Sequence, residues 1–306
     1  MTTRKLAAET TGPISLDVSL LQHGGTITVR AEADCDRATL TLHTTDEQGP
    51  AAEAVQTATL RQSATGLHAC VQGTGGGTIT QTIRGGHGGG RIVQHVSNNV
   101  GSMVAVSAGD LNISGGVFHF NGGVGGTVNV LQGSAPIEIT AVVPEGSSLL
   151  GRSQSADIVV EGAVLNITAQ TQSGDVRMDG HAARVTASTQ SGDVLVAQAA
   201  NINAKTQSGD LRLGRTDVVE GKTMSGDITI ADFGGTAHLT AMSGDIRVHA
   251  TAGGDLRAST ISGDVHVTAT DTALTDDLDV QADSVSGSVQ TPQRRRSAAG
   301  PRRRNF

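Results

Sequence analysis

An all-β parallel β-helix is the fold class this sequence predicts, and three observations carry the prediction. A serine-anchored turn returns every 17 to 19 residues along the C-terminal half, with one last step of 24. Apolar and polar positions alternate on both sides of that turn. Only 4 residues are aromatic, all Phe, so the core must be built from Val, Ile, Leu, Ala and Thr, which suits a narrow, repetitive interior.

The anchors are Ser155, Ser173, Ser191, Ser208, Ser225, Ser243, Ser262 and Ser286, with steps of 18, 18, 17, 17, 18, 19 and 24 residues. The first reads Ser-Ala-Asp, the last Ser-Gly-Ser, and the rest Ser-Gly-Asp. Altered terminal repeats are expected where a stack must be capped. After the anchors run two apolar columns, Val176, Val194, Leu211, Ile228, Ile246, Val265 and Met178, Val196, Leu213, Ile230, Val248, Val267. Between them lies a mostly polar column that includes Arg177, Arg212, Arg247 and His266. Alternation places the first two inside and the third outside.

Upstream the columns are apolar at six residues before the anchor (Ile167, Val185, Ile202), small at four (Ala169, Ala187, Ala204) and Thr-like at two (Thr171, Thr189, Thr206). Small residues four before the turn mark a thin place in the core. A second corner follows each anchored strand, as at Asp179-Gly180-His181 or Gly253-Gly254-Asp255. Glycine is expected to supply the positive φ of tight corners. One such rung cannot bury its own inner face, and stacking at about 4.8 Å makes the core continuous. β-Branched residues at period two oppose a helix. A right-handed coil is the default.

Stacking creates an electrostatic problem. Asp175, Asp193, Asp210, Asp227, Asp245 and Asp264 should form one column. Like charges about 5 Å apart repel by roughly 1 kcal/mol in water and about 3 kcal/mol at an effective dielectric of 20. Serine hydroxyls, turn N–H groups and the arginines at 177, 212 and 247 can offset this. The charges then serve stacking rather than ligand binding.

Around the regular stack (137–290) the sequence divides into a structureless start (1–11), a separate antiparallel β unit (12–72) with a short helix near Ala51–Ala58, a Gly-rich segment (73–136) and a disordered arginine-rich tail (291–306). The Gly-rich segment reads as irregular early rungs, with a flexible insert as the competing reading. The opening MTTRKLAAET holds no apolar leader, and no apolar stretch reaches about 20 residues. A cytoplasmic chain, at most peripheral to a membrane, is expected, with Cys35 and Cys70 as free thiols. The net charge is −7, although six arginines crowd the last thirteen residues. An acidic body argues against nucleic-acid binding.

Chemistry is sparse. Stacked aspartates suggest the calcium-binding nonapeptide repeats, but one Asp per corner falls short of the six to eight oxygens Ca²⁺ takes. No carboxylate pair stands apart from the repeat for glycan cleavage, and no aromatic platform is available for a sugar. The histidines, among them His87, His95, His181, His249 and His266, lack ligand spacing. Gly85-Gly86-His87-Gly88-Gly89-Gly90 misses the phosphate-cradling pattern. Met224 and Met242 replace Gln172, Gln190 and Gln207 of other rungs and read as gap fillers. Catalytic, cofactor-binding and metal sites are therefore all assigned as none.

The segment IEITAVVPEGSSL at 137–149, followed by the Ser-Ala-Asp and Ser-Gly-Asp-Val/Leu/Ile turns, resembles a bacterial β-strand-repeat family known as "putative adhesin", a domain of unknown function common in actinobacteria. The likeness spans roughly residues 12–290. It implies a parallel β-helix and carries no catalytic motif. The expected role is a non-enzymatic scaffold or adhesin-like binding module that takes a protein or surface partner and no small-molecule substrate. The alternatives are a self-assembling element joined through its stack ends and a β-helix polysaccharide enzyme. The arginine tail offers a contact to anionic lipid or nucleic acid.

Overall fold

The computed structural model describes residues 1–22, 24–72 and 135–292, together with the backbone of six short strands between 78 and 131. The chain opens with β1 (Thr2–Ala7), β2 (Ser15–Leu21), β3 (Gly25–Glu32) and β4 (Thr39–Thr44), then α1 (Pro50–Thr57), β5 (Thr59–Ser63) and β6 (Gly66–Gln72). The six short strands are β7 (Thr78–Thr82), β8 (Val93–His95), β9 (Ser102–Val106), β10 (Asp110–Ser114), β11 (Val117–Asn121) and β12 (Thr127–Leu131). Next come β13 (Ile137–Pro144), β14 (Ser148–Ser153), β15 (Asp157–Gln170), β16 (Val176–Ser188), β17 (Val194–Lys205), β18 (Leu211–Thr223), β19 (Ile228–Ser243) and β20 (Ile246–Ser262). The chain finishes with β21 (Val265–Ala269), the single-turn α2 (Asp271–Thr275), β22 (Leu278–Ser286) and β23 (Val289–Gln290).

From β15 to β20 each strand runs from one serine-anchored turn to the next and bends midway at the second corner. Neighbours pair in parallel and in register, so Val176, Val194, Leu211, Ile228, Ile246 and Val265 stack directly. The anticipated inner columns are buried, including Thr171, Thr189, Thr206, Thr223 and Thr260. The core is thin where small residues recur. A Cβ on Gly221 would lie 3.1 Å from the Leu239 side chain of the next rung. Leucine fits that otherwise alanine-rich column because glycine lies beside it.

The stack begins earlier in the chain than the serine anchors do. β2 and β3 form a rung beneath β14 and β15, pairing Leu16 with Leu149 and Ile27 with Ile158 in parallel. Beneath them, β6 pairs in parallel with β2 and β13 with β3. β6 ends opposite Leu21 and β13 begins opposite Gly25. Residues 73–136 therefore leave and rejoin the stack at the corner that higher rungs close with Ser-Gly-Asp. Their six strands pair antiparallel, in one sheet of β7, β12 and β9 and another of β10, β11 and β8. These are not parallel rungs, and the glycine corners expected among them lie outside the described residues.

The antiparallel unit expected at 12–72 is thus part of the stack and its cover. Antiparallel pairs occur at β1–β4, β4–β13 and β5–β6. The start, expected to lack structure, supplies β1. Helix α1, at the place the sequence indicated, buries Ala51, Ala52, Ala54 and Val55. The Nη1 amino group of Arg4 donates to the carbonyls of Val55, Gln56 and Ala58 at 3.3, 2.8 and 2.5 Å. It satisfies carbonyls at the helix C-terminus, where a cation is favoured. One hydrophobic cluster runs from Ala8 to Ala273, so cover and stack share a core.

Two stability tests follow from this packing. In Gly209→Ala the new methyl would sit 2.0 Å from the Gly192 carbonyl oxygen, and denaturant titration should show a loss of about 2–3 kcal/mol. The Thr216 hydroxyl is buried without a hydrogen-bond partner, so Thr216→Val should stabilise by about 1 kcal/mol in the same titration. A neutral first variant, or a destabilised second one, would contradict the packing described.

Candidate functional surface at the Ser-Gly-Asp edge

The Ser-Gly-Asp corners are tied to their neighbours at three residue positions, except that Ala241 replaces the first before Ser243. The first is the threonine two before the serine. Thr189 and Thr206 Oγ1 accept from the N–H of their own Gly192 and Gly209 at 2.9 and 3.0 Å. The same hydroxyls donate to the glycine carbonyls one rung below, Gly174 and Gly192, at 3.5 and 3.3 Å. Thr223, Thr260 and Ser284 make the same downward bond. This is why a buried column keeps hydroxyls.

The second position is the glycine. A Cβ at Gly174, Gly192, Gly209, Gly226, Gly244, Gly263 or Gly287 would lie 2.0–2.2 Å from a carbonyl oxygen of the preceding rung. Close approach therefore sets this residue, and in this column φ is positive only at Gly263. The left-handed conformation belongs mainly to the second corner, at Gly162, Gly180, Gly235 and Gly254.

The third position is the aspartate. The backbone N–H of each aspartate donates to Oδ1 of the one below: Asp175 to Asp157, Asp193 to Asp175, Asp210 to Asp193, Asp227 to Asp210, Asp245 to Asp227 and Asp264 to Asp245, all at 2.8–2.9 Å. The ladder ends where Ser288 donates to Asp264 at 2.7 Å. That backbone hydrogen bond, with a further one to the Ser288 side chain, holds the Asp264 carboxyl below its ordinary range. In return the N–H following each lower aspartate donates to the upper carbonyl, as from Val194 to Asp210 at 2.9 Å. The repulsion anticipated in this column is offset by charge-assisted hydrogen bonds, each stronger than a neutral one.

Arginines add to this on the outer face. Arg212 spans Asp193 and Asp210 at 3.0 and 2.8 Å, and Arg247 spans Asp227 and Asp245 at 2.9 and 2.6 Å. The hydrogen bond to Asp227 leads the causes that raise the Arg247 pKa. Arg177 departs from the expected pattern. It pairs with Asp179 at 2.6 Å, and that bond raises its pKa. In the bridged corners Oδ1 holds main chain and Oδ2 holds arginine, so the carboxylates are already engaged. Among the described residues no group of three or more His, Cys, Asp or Glu is placed to hold a metal.

A depression of about 170 Å³ lies at the end of this face, lined by Asp245, Arg247, Asp264, Val265, His266, Ser288 and Gln290. It is smaller than the roughly 300–1,000 Å³ usual for small-molecule sites. His266 Nδ1 lies 3.0 Å from Gln290 Oε1, and His249 Nδ1 lies 2.8 Å from Thr268 Oγ1, so both imidazoles cross-link rungs. His181 is exposed, while the side chains of His87 and His95 lie outside the described residues. Cys35 and Cys70 are unbridged and half-buried.

The column just before the anchor serines departs from the expectation for its two methionines. Met224 and Met242 do not fill core gaps: they are 45% and 43% exposed, and Ile261 and Val285 follow at 50% and 82%. The register aligns Thr223, Ala241, Thr260 and Ser284, which immediately precede these four side chains. They therefore form an apolar ridge about 14 Å long on four successive rungs. The lower rungs carry Gln172, Gln190 and Gln207 in the same column. The signal was visible in the sequence as a column turning from Gln to Met, Met, Ile and Val.

Removing one carboxylate tests the ladder. Asp210→Ala deprives the Asp227 N–H of its acceptor and Arg212 of one of its two, and should cost about 1–3 kcal/mol. Asp210→Asn keeps a carbonyl oxygen for the N–H and should cost less than about 1 kcal/mol. Equal losses in denaturant titrations of the two variants would contradict the assignment.

Comparison with known proteins places this geometry in a family. No curated protein matches the chain. A solved structure described as a "putative lipid binding protein" from Parabacteroides distasonis shares 11% identity at a TM-score of 0.48, covering 95% of this chain and 97% of that one. A "putative adhesin" from Bacteroides fragilis shares 12% at a TM-score of 0.39, covering 94% and 96%. Another from Parabacteroides merdae shares 8% at 0.37, with the same coverage. None of these three comes from an actinobacterium. The family profile described as Toastrack DUF4097 matches residues 93–304, and with most of the sequence so matched, the chain belongs to the Toastrack DUF4097 family.

Proposed function

We propose that this chain is a non-enzymatic β-solenoid scaffold that binds a protein partner along its serine-anchored edge, as an adhesin-like module. The exposed ridge of Met224, Met242, Ile261 and Val285 carries the reading. Four large apolar side chains on consecutive rungs of one edge differ from the scattered apolar residues of an ordinary surface. Methionines there give a deformable contact. The aligned charges beside the ridge are engaged in stacking, which leaves the apolar column as the distinctive contact feature of that edge. The same engagement supports a non-enzymatic role, because the ladder carboxylates with Oδ1 on main chain and Oδ2 on arginine are poorly placed to act as acid or base.

Binding of the labelled full chain to intact source cells tests this directly. The natural chain should bind saturably. A variant carrying Met224→Gln, Met242→Gln, Ile261→Gln and Val285→Gln should lose at least about tenfold in affinity, equivalent to about 1.4 kcal/mol. Unchanged affinity, no saturable binding, or turnover of an acidic polysaccharide by the natural chain would overturn the reading.

A further inference from the structure

The two ends of the stack are finished differently. At the start, β1, β4 and β5 run antiparallel to their neighbours, and α1 packs over β1, β4 and β6. At the other end, β22 pairs with β20 and β23 with β21, and the opposite edge of each has no partner among the described residues. The inward side chains Leu278, Val280 and Ala282 are only partly buried, and Val289 is 41% exposed. A strand edge of this kind is a template for pairing and is normally covered or charged.

The charge at this edge has one sign. No Lys or Arg occurs from residue 258 to residue 293. Asp279 and Asp283 alternate along the exposed face of β22, without an ion-pair partner among the described residues. Directly after Pro292 the sequence turns strongly basic, with Arg294, Arg295, Arg296, Arg302, Arg303 and Arg304. The stretch 293–306 is longer than β22, which takes 9 residues. The carboxylate ladder also stops here, because Ser288 stands where an aspartate would need the N–H of another Ser-Gly-Asp corner.

We propose that the open edge of β22 is a docking surface for an arginine-rich strand, and that its occupant is this chain's own segment 293–306. Main-chain hydrogen bonds to the edge give the attachment, and arginines paired with Asp279 and Asp283 give the register. The inference rests on the edge and its charge, and is independent of what binds the apolar ridge.

Hydrogen exchange on the full chain decides it. Three proteins are compared: the natural chain, a variant with all six tail arginines changed to Gln, and the variant Asp279→Asn/Asp283→Asn. The β22 amides pointing away from β20 should exchange at least about tenfold more slowly in the natural chain than in either variant. Raising the salt concentration should narrow that difference. The amides of Leu211 and Ile228 should exchange alike in all three, showing an intact body. Equal edge rates would overturn the proposal. Edge protection that rises with protein concentration would assign the edge to a second copy and overturn it as well.

Discussion

An aspartate carboxylate that accepts the main-chain N–H of the rung above is the interaction on which this stack depends. It resolves two demands together. The corner leaves the regular strand ladder, so its N–H needs an acceptor that strand pairing does not provide. The carboxylates, brought into a column by the repeat, need donors to offset their repulsion. Each answers the other, from Asp157 to Asp264. Glycine before each aspartate from Asp175 to Asp264 lets the lower carbonyl approach to where a methyl would stand, and Thr189 and Thr206 each bind both their own corner and the one below. The spacing of Thr, Gly and Asp in the repeat is thus a hydrogen-bond pattern written along the chain.

The columns of the regular stack were legible because period-two alternation and a near-constant repeat fix which residues face inward. The role of the column charges was legible too, since electrostatics alone required partners for six stacked carboxylates. The N-terminal rungs were not. β2, β3, β6 and β13 alternate like any strands, but their partners are far away in sequence and no Ser-Gly-Asp marks their corner. The insert at 73–136 hides the fact that Leu67 and Ile139 belong to one rung. The positive φ of second-corner glycines such as Gly180 and Gly254 was legible, but the close approach at the Ser-Gly-Asp glycines was not, because distance to a neighbouring rung cannot be read from local turn preference. Met224 and Met242 were misjudged because a residue beside a turn has no fixed face in a two-state inside-or-outside pattern.

The same architecture separates what holds the rod together from what it can present. Charged groups on the serine-anchored edge are largely consumed by stacking: Arg212 and Arg247 each lock two rungs, and His249 and His266 link neighbours. What remains exposed is the apolar ridge on the upper rungs and the acidic last strand. The insertion point of the Gly-rich segment lies at that same corner position, several rungs below the ridge. One edge of the solenoid therefore carries both the main departure from the repeat and the main apolar exposure. No helix among the described residues is long and apolar enough to cross a membrane.

Native-state hydrogen exchange of the ladder amides, those of Asp175, Asp193, Asp210, Asp227, Asp245, Asp264 and Ser288, measures the corner clamp itself. If carboxylates hold the rungs together, these amides exchange as slowly as adjacent strand amides despite lying at an exposed edge. Their protection should also fall together when the carboxylates are protonated by acid. Rapid exchange at neutral pH, like that of free surface turns, would mean that apolar stacking alone holds the rungs and that the aspartate column is incidental to it.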